Sequence, residues 1–309
     1  MIMIKLKIAY FGAPYFSARF LEKIINDKNL PVEVKLVVTQ PDRPVGRKQI
    51  LTPTPVKQVA ERHEIEIITN LESIIQSSEL NVESRILNSK LQKLDLALVF
   101  AYSRIIPENL LSIPKFGFWN IHPSLLPKYR GPSPITYPLI NGDRETGVTI
   151  IKMDEKIDHG PIIAQQKLEI EETDRRPDLE IKLTDLGYEL FKKTIKQLTS
   201  SRINELKFKE QDESQATYTK LLKKSDGFID FENFKLKIEN SPKKLYDLFR
   251  GLYPWPGLWT LCPKRLKITD LNLIDHKLII KKVQLEGKKE VDWQTFIRAY
   301  NINIASPKE

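Results

Sequence analysis

Apolar residues in the first 170 positions fall into short continuous runs separated by stretches of helical spacing. KIAYFG (7–12) is apolar and bounded by Gly and Pro, the pattern of a buried strand. Residues 16–25 then place Phe16, Phe20, Leu21 and Ile24 on one helical face. EVKLVVT (33–39), EIEIIT (64–69), LDLALVFAY (94–102) and GFWNIH (117–122) read as further strands, with helices predicted over 55–63 and up to about 91. Strands alternating with helices predict an α/β domain built on a parallel sheet. GVTIIKMD (147–154) and PIIAQQKLEI (161–170) are joined by a short connection, which requires antiparallel pairing. A long amphipathic helix over 177–198 closes this part. Beyond it the pattern shortens into strand-like pieces, GFIDF (227–231) and KLIIKKVQLEG (277–287), interrupted by a helix over 243–251. This predicts a small β-rich second domain after a linker near 200–210.

Length and charge refine that picture. The chain has 309 residues and a net charge of +9. Residues 201–309 carry 21 Lys/Arg against 15 Asp/Glu, and the first 200 carry 28 against 25. The surplus therefore sits mostly in the last third, which suits a polyanionic partner such as RNA and equally a merely lysine-rich surface. The single cysteine, Cys262, excludes a disulfide framework and any multi-cysteine metal site, and fits a reducing compartment. No apolar run reaches the length of a membrane span. FGAPYF (11–16) has one glycine where a dinucleotide-binding turn needs three, and the chain contains no phosphate-cradling GxxxxGK[ST] loop, so no nucleotide cofactor is expected.

The chemistry is concentrated between Asn120 and Asp158. Asn120 and His122 lie two apart on a strand and share one face, and the strand breaks at Pro123. Asp158 lies in a turn just past the next strand. An amide can donate to a developing oxyanion, an imidazole can move a proton, and a carboxylate can orient that imidazole. Taken singly, each residue is as well explained by a structural role. A metal held by His122, Asp158 and His159 is disfavoured, because adjacent side chains point apart and zinc ligands are usually more closely spaced.

NIHPSLLPKYRGPSPI (120–135) followed by GVTIIKMDEKIDHGPII (147–163) resembles the folate-dependent formyltransferases, whose marks are an Asn-x-His strand end, an SLLPxYRG loop and an Asp in the following turn. FGAPYFSARFL (11–21), TQPDRPVGRKQILTPTPVK (39–57), YTKLLKKSDGFIDF (218–231), GLYPWPGLWT (251–260) and QLEGKKEVDWQTF (284–296) are similar to the tRNA-acting branch of that family, so the resemblance covers nearly the whole chain. It implies a Rossmann-like catalytic domain over 1–200, a linker over 201–210 and an OB-like barrel over 211–309, shortened between 263 and 284. It implies 10-formyltetrahydrofolate as donor, the α-amine of methionine on initiator tRNA as acceptor, and no metal. Asn120 and His122 would steady the tetrahedral oxygen and Asp158 would hold the His and help the amine's proton leave. Arg104, Ile106, Ser124, Leu125, Leu126, Pro127 and Asp154 match folate-pocket positions, while Phe16, Arg43, Arg47 and Lys48 match positions that meet the aminoacyl-tRNA. Ser103 stands where the family usually has Gly. A cytoplasmic monomer is expected. Two other readings stay open: a formyltransferase acting on a sugar amine or glycinamide ribonucleotide, and an RNA-binding protein without catalysis.

Overall fold

Ile8, Ala9, Tyr10 and Phe11 are all fully buried, so strand β1 (Leu6–Gly12) is covered on both faces. That double burial is what a continuous apolar run buys in a parallel sheet flanked by helices. The computed structural model describes residues 5–46, 48–69, 71, 82–200, 207–262 and 264–301. Around β1 are β2 (Val32–Val38), β5 (Glu66–Ile68), β6 (Leu96–Phe100), β7 (Phe118–His122), β8 (Glu145–Lys152) and β9 (Ile162–Glu169), in the sheet order β5-β2-β1-β6-β7-β8-β9. The first five are parallel, and β8 runs antiparallel to β7. The Lys152 amide donates to the Pro161 carbonyl (3.0 Å), and Gly147 lies against the Gln166 carbonyl, a constant register that makes β8 and β9 an antiparallel hairpin.

Between β2 and the helix Pro55–Arg62 lies a two-stranded hairpin, β3 (Arg43–Val45) and β4 (Ile50–Thr52). The helix Tyr15–Asn26 packs Phe20, Leu21 and Ile24 inward. The 24-residue helix Arg176–Thr199 contributes Leu183, Phe191 and Ile195 to the buried set.

Compact packing divides the chain in an interleaved way. One unit takes Met1–Pro132, Gly147–Leu168 and Ile181–Tyr218; the other takes Ser133–Thr146, Glu169–Glu180 and Thr219–Glu309. The second unit has its own core of Phe234, Leu245, Phe249, Leu258, Ile268 and Phe296 among others. It is built on an antiparallel sheet, β10 (Leu258–Leu261), β11 (Arg265–Ile274), β12 (Lys277–Leu285) and β13 (Glu290–Asp292), with helices Phe231–Asn240, Pro242–Leu252 and Trp293–Tyr300. The strand predicted over 227–231 is not formed. Asp230 accepts from the amides of Glu232 and Asn233, which starts a helix at Phe231 and leaves only a single bridge between Phe228 and Trp259.

On the first unit, Asp27 receives Lys192 Nζ and Tyr188 Oη, each at 2.6 Å. The ammonium first, then the phenol, hold its carboxyl down to about 2. A carboxyl lowered on folding adds stability above its unfolded pKa and loses it as the pH falls toward the folded one. Asp27→Asn is therefore expected to lower the urea midpoint at pH 6 and to have progressively less effect between about pH 4 and pH 2. A midpoint difference that stays constant across those pH values would remove the carboxylate from the effect.

Candidate active site

In the parallel part of the sheet the chain steps outward from β1 to β2 and β5, then returns to the other side of β1 at β6. The strand order reverses there, and open α/β sheets place their ligands at the carboxyl ends of the strands beside such a reversal. The ends of β1 and β6 are drawn close: a Cβ on Gly12 would lie 2.1 Å from Ser17 Oγ and 2.9 Å from the Phe100 carbonyl. Ser17 Oγ donates to that carbonyl at 2.7 Å, so the start of the first helix is tied to the end of β6.

The next strand, β7, ends in Asn120 and His122. Asn120 is half-buried, and His122 is 3% exposed. Asn120 Nδ2 donates to Asp158 Oδ1 at 3.1 Å, and His122 Nδ1 lies 3.5 Å from the same oxygen. His122 Nε2 is 2.9 Å from the Tyr129 carbonyl; a carbonyl can only accept, so Nε2 carries the hydrogen and Nδ1 turns to the carboxylate. The second carboxylate oxygen, Asp158 Oδ2, accepts from the Gly131 amide at 2.8 Å. The three residues proposed from the sequence thus share one carboxylate, although Asp158 is 38 positions from Asn120.

Two loops set this geometry. In the loop after β7, the Ser124 amide donates to the His122 carbonyl, Ser124 Oγ donates to the Lys128 carbonyl, and Thr149 Oγ1 bridges the Ser124 carbonyl to the Leu126 amide. Gln165 holds the Leu126 carbonyl at 2.9 Å. The other loop brings Asp158 in with φ +52°, a left-handed conformation that costs a non-glycine residue of order 1 kcal/mol and persists only when held from outside.

The holding groups come from a stretch that the sequence placed at the start of the second domain, with no part in this site. Gln211 Nε2 donates to the Asp158 and Gly160 carbonyls at 2.9 and 2.8 Å, and Gln211 Oε1 accepts both Nε and Nη2 of Arg130. Arg130 is 1% exposed and pairs with Glu213, whose carboxyl it holds below the usual range. His159, which the sequence brought in only as a member of a disfavoured metal set, is half-buried. Its Nδ1 lies 2.6 Å from Asp154 Oδ2 and its Nε2 3.5 Å from Glu213. No signal within the sequence pointed to these pairings, because each joins residues through the tertiary fold.

The remaining predicted residues occupy varied settings. Ser124 and Leu126 are buried and their polar groups are used within the loop; Leu125 and Pro127 are half-buried beside them. Ile106 is a core residue, packed in one cluster with Phe11, Val99 and Phe118. Arg104 is exposed in the turn after β6. Phe16 packs its ring against Phe100 (5.4 Å), at the reversal point. Arg43 and Lys48 are exposed on the β3–β4 hairpin, which follows β2 and is separated from β7 by β1 and β6 in the sheet. Arg47 lies outside the described residues. Among the described residues, no group of three His, Cys, Asp or Glu is placed to hold a metal ion, and no helix is long and apolar enough to cross a membrane.

The turn after β6 carries strain of its own. Ala101 and Ser103 have φ +54° and +59°. Ser103→Gly relieves roughly 1–2 kcal/mol of left-handed strain and gives back about 0.5–1 in unfolded-chain entropy. A rise in melting temperature of about 1–3 °C is expected; a fall on calorimetry would show that the seryl side chain earns its place.

Comparison with known proteins bears on this arrangement. The family model described as formyl transferase matches residues 6–195. The methionyl-tRNA formyltransferase of Caldicellulosiruptor saccharolyticus is 35% identical over 96% of this chain and 97% of its own length. That of Bacillus velezensis is 36% identical over 96% and 95%. Among solved structures, phosphoribosylglycinamide formyltransferase from Bacillus halodurans superimposes with a TM-score of 0.53 at 27% identity, covering 65% of this chain and 98% of that one. An N-formyltransferase from Helicobacter canadensis, solved with folinic acid and dTDP-3-aminofucose, gives a TM-score of 0.60 at 22% identity, covering 92% and 95%.

Proposed function

The chain belongs to the formyl transferase family, and from that premise we propose that it carries a formyl group from 10-formyltetrahydrofolate to the α-amine of methionine on initiator tRNA, with Asn120, His122 and Asp158 as its reacting groups. It is an enzyme, and it formylates methionyl-tRNA, since relatives bearing that name match it over nearly their whole length. The observation that carries the residue assignment is the Asp158 carboxylate, shared by Asn120 Nδ2 and His122 Nδ1 at the carboxyl end of β7.

These groups suit acyl transfer to an amine the substrate brings. Asn120 Nδ2 spends one hydrogen on Asp158 and keeps a second for the oxygen that gains charge as the amine adds to the formyl carbon. The proton leaving that amine passes to the Asp158 carboxylate, directly or through one water, and returns to the folate nitrogen as the bond between that nitrogen and the formyl carbon breaks, so the formyl group ends on the amine and tetrahydrofolate leaves; His122 Nδ1 faces the carboxylate. No thiol takes part: Cys262 is in the other unit, and burial pushes its pKa up. A formyl-folate donor fits the donor set here, an amide and an imidazole beside a half-buried carboxylate. Leu125, Leu126 and Pro127, the turn from Asp154 to Asp158, and Arg104 would border it.

For the tRNA, Phe16, Arg43, Arg47 and Lys48 are proposed at the acceptor end. The Lys/Arg surplus after residue 200 is proposed along the phosphates, which makes affinity fall steeply with salt. A cytoplasmic monomer is the working state. A formylation assay with charged initiator tRNA, set beside deacylated and elongator tRNAs, tests the reading. Turnover on the charged initiator alone is the expected result. Equal turnover on a sugar amine or glycinamide ribonucleotide would move the protein to another branch of the family.

A further inference from the structure

Residues 209–218 belong to the first unit and are bound to the rest of it through Lys209, Gln211, Glu213, Thr217 and Tyr218. Lys209 and Ile162 exchange both backbone hydrogen bonds, at 2.8 and 2.9 Å. Thr217 donates its amide to the Pro127 carbonyl, accepts from the Arg130 amide at its own carbonyl, and accepts from the Tyr129 amide at Oγ1. Between these anchors, Gln211 reaches the catalytic turn and Glu213 reaches Arg130. The segment is therefore attached both to the turn that carries Asp158 and to the loop whose Tyr129 carbonyl orients His122.

We infer that Gln211 is a positioning residue for formyl transfer, acting through its two amide hydrogens on the backbone of the Asp158 turn. The inference rests on the assignment of Asp158 made above. Both ends of the Gln211 side chain are engaged. Its carbonyl oxygen is occupied by Arg130, which fixes the amide plane and leaves the NH2 directed at the Asp158 and Gly160 carbonyls. The first is the carbonyl of Asp158 itself, whose φ is +52°, and the second lies two residues further on. A left-handed Asp with no such restraint relaxes toward ordinary φ, and its carboxylate moves off Asn120, His122 and the Gly131 amide together. Placing a reacting group about 1 Å out of line costs on the order of 100-fold.

The two ends can be separated by substitution. Gln211→Glu keeps an oxygen for Arg130 but replaces the NH2 with an oxygen facing two carbonyls. Gln211→Ala removes both. If Gln211 serves only to satisfy buried Arg130, Gln211→Glu retains wild-type kcat. If it positions Asp158, both variants lose about 10- to 100-fold in kcat on methionyl-tRNA, with KM for the tRNA unchanged. Each kcat is referred to the folded fraction measured in the same buffer, so poor folding of one variant does not imitate the effect. A second measurement uses single-turnover rates in the Asp158→Ala background. There Gln211→Glu is expected to add nothing, because the group it positions is gone; a full additional loss overturns the inference. Wild-type kcat in Gln211→Glu also overturns it. Absence of formylation by the unaltered protein would instead sink the function proposed above, so the two failures are distinct.

Discussion

Asp158→Ala is expected to lower the single-turnover rate of methionyl-tRNA formylation by about a thousandfold or more, while the protein stays folded. Loss of one oxyanion-directed donor typically costs 100- to 1,000-fold, and loss of a general base 100- to 10,000-fold. In the proposed assignment Asp158 combines the second role with anchorage of the first, since its carboxylate holds Asn120 Nδ2 and faces His122. Asn120→Ala should fall in the 100- to 1,000-fold range alone. The double variant should be little slower than Asp158→Ala, because groups acting as a unit do not contribute additively. Leaving the Gly131 amide without its acceptor costs about 1–3 kcal/mol, enough to lower the melting temperature but not to unfold the chain. A rate for Asp158→Ala within a few-fold of wild type would remove the carboxylate from the chemistry.

Gly160→Ala is expected to be nearly as damaging for a different reason. A Cβ there would sit 1.8 Å from the Lys152 carbonyl oxygen and 3.4 Å from the Asp154 amide nitrogen. Both are backbone, so no flexible side chain can move aside. Lys152 is fixed by its own amide bond to the Pro161 carbonyl, and the Gly160 carbonyl is fixed by Gln211. Relief must come from displacing the turn two residues after Asp158. Overpacking of this kind costs typically 1–3 kcal/mol, and a displacement near 1 Å costs on the order of 100-fold in rate. The expected result is a lower melting temperature together with that loss of kcat. Wild-type values of both would mean that the β8–β9 connection adapts far more easily than its hydrogen bonds imply.

The residues around this centre differ in how far the sequence disclosed them. Asp158 was legible because its motif places it at a fixed interval after an Asn-x-His strand end, and the strands themselves follow from apolar runs bounded by Gly and Pro. The parallel core, the antiparallel hairpin and the long helix after it were legible for the same local reason. Gln211, Glu213 and His159 were not. Their partners lie 5 to 83 positions away, and nothing in the periodicity of 207–218 distinguishes a bound segment from a linker. The segment 227–231 misled because GFIDF is a short run of aromatic and β-branched residues, while the Asp230 cap that decides the outcome is a single side chain. The interleaving of the two units escaped as well, since composition shifts mark blocks along the chain and cannot show which blocks fold back. Ser103 was flagged as a departure from a family glycine, and its left-handed φ gives the physical meaning of that departure.

The attachment of residues 209–218 to the Asp158 turn also sets an order of events during synthesis. Asp158 leaves the ribosome before the segment that restrains it, and about 60 further residues must follow before Tyr218 is available. At roughly 5–20 residues per second that interval is about 3–12 s. Through it the nascent chain has the three groups proposed to react but lacks the Gln211 bonds to the Asp158 turn. A chain arrested before residue 211 would therefore lack the amide that holds the Asp158 turn, and alignment would arrive as a late step in translation.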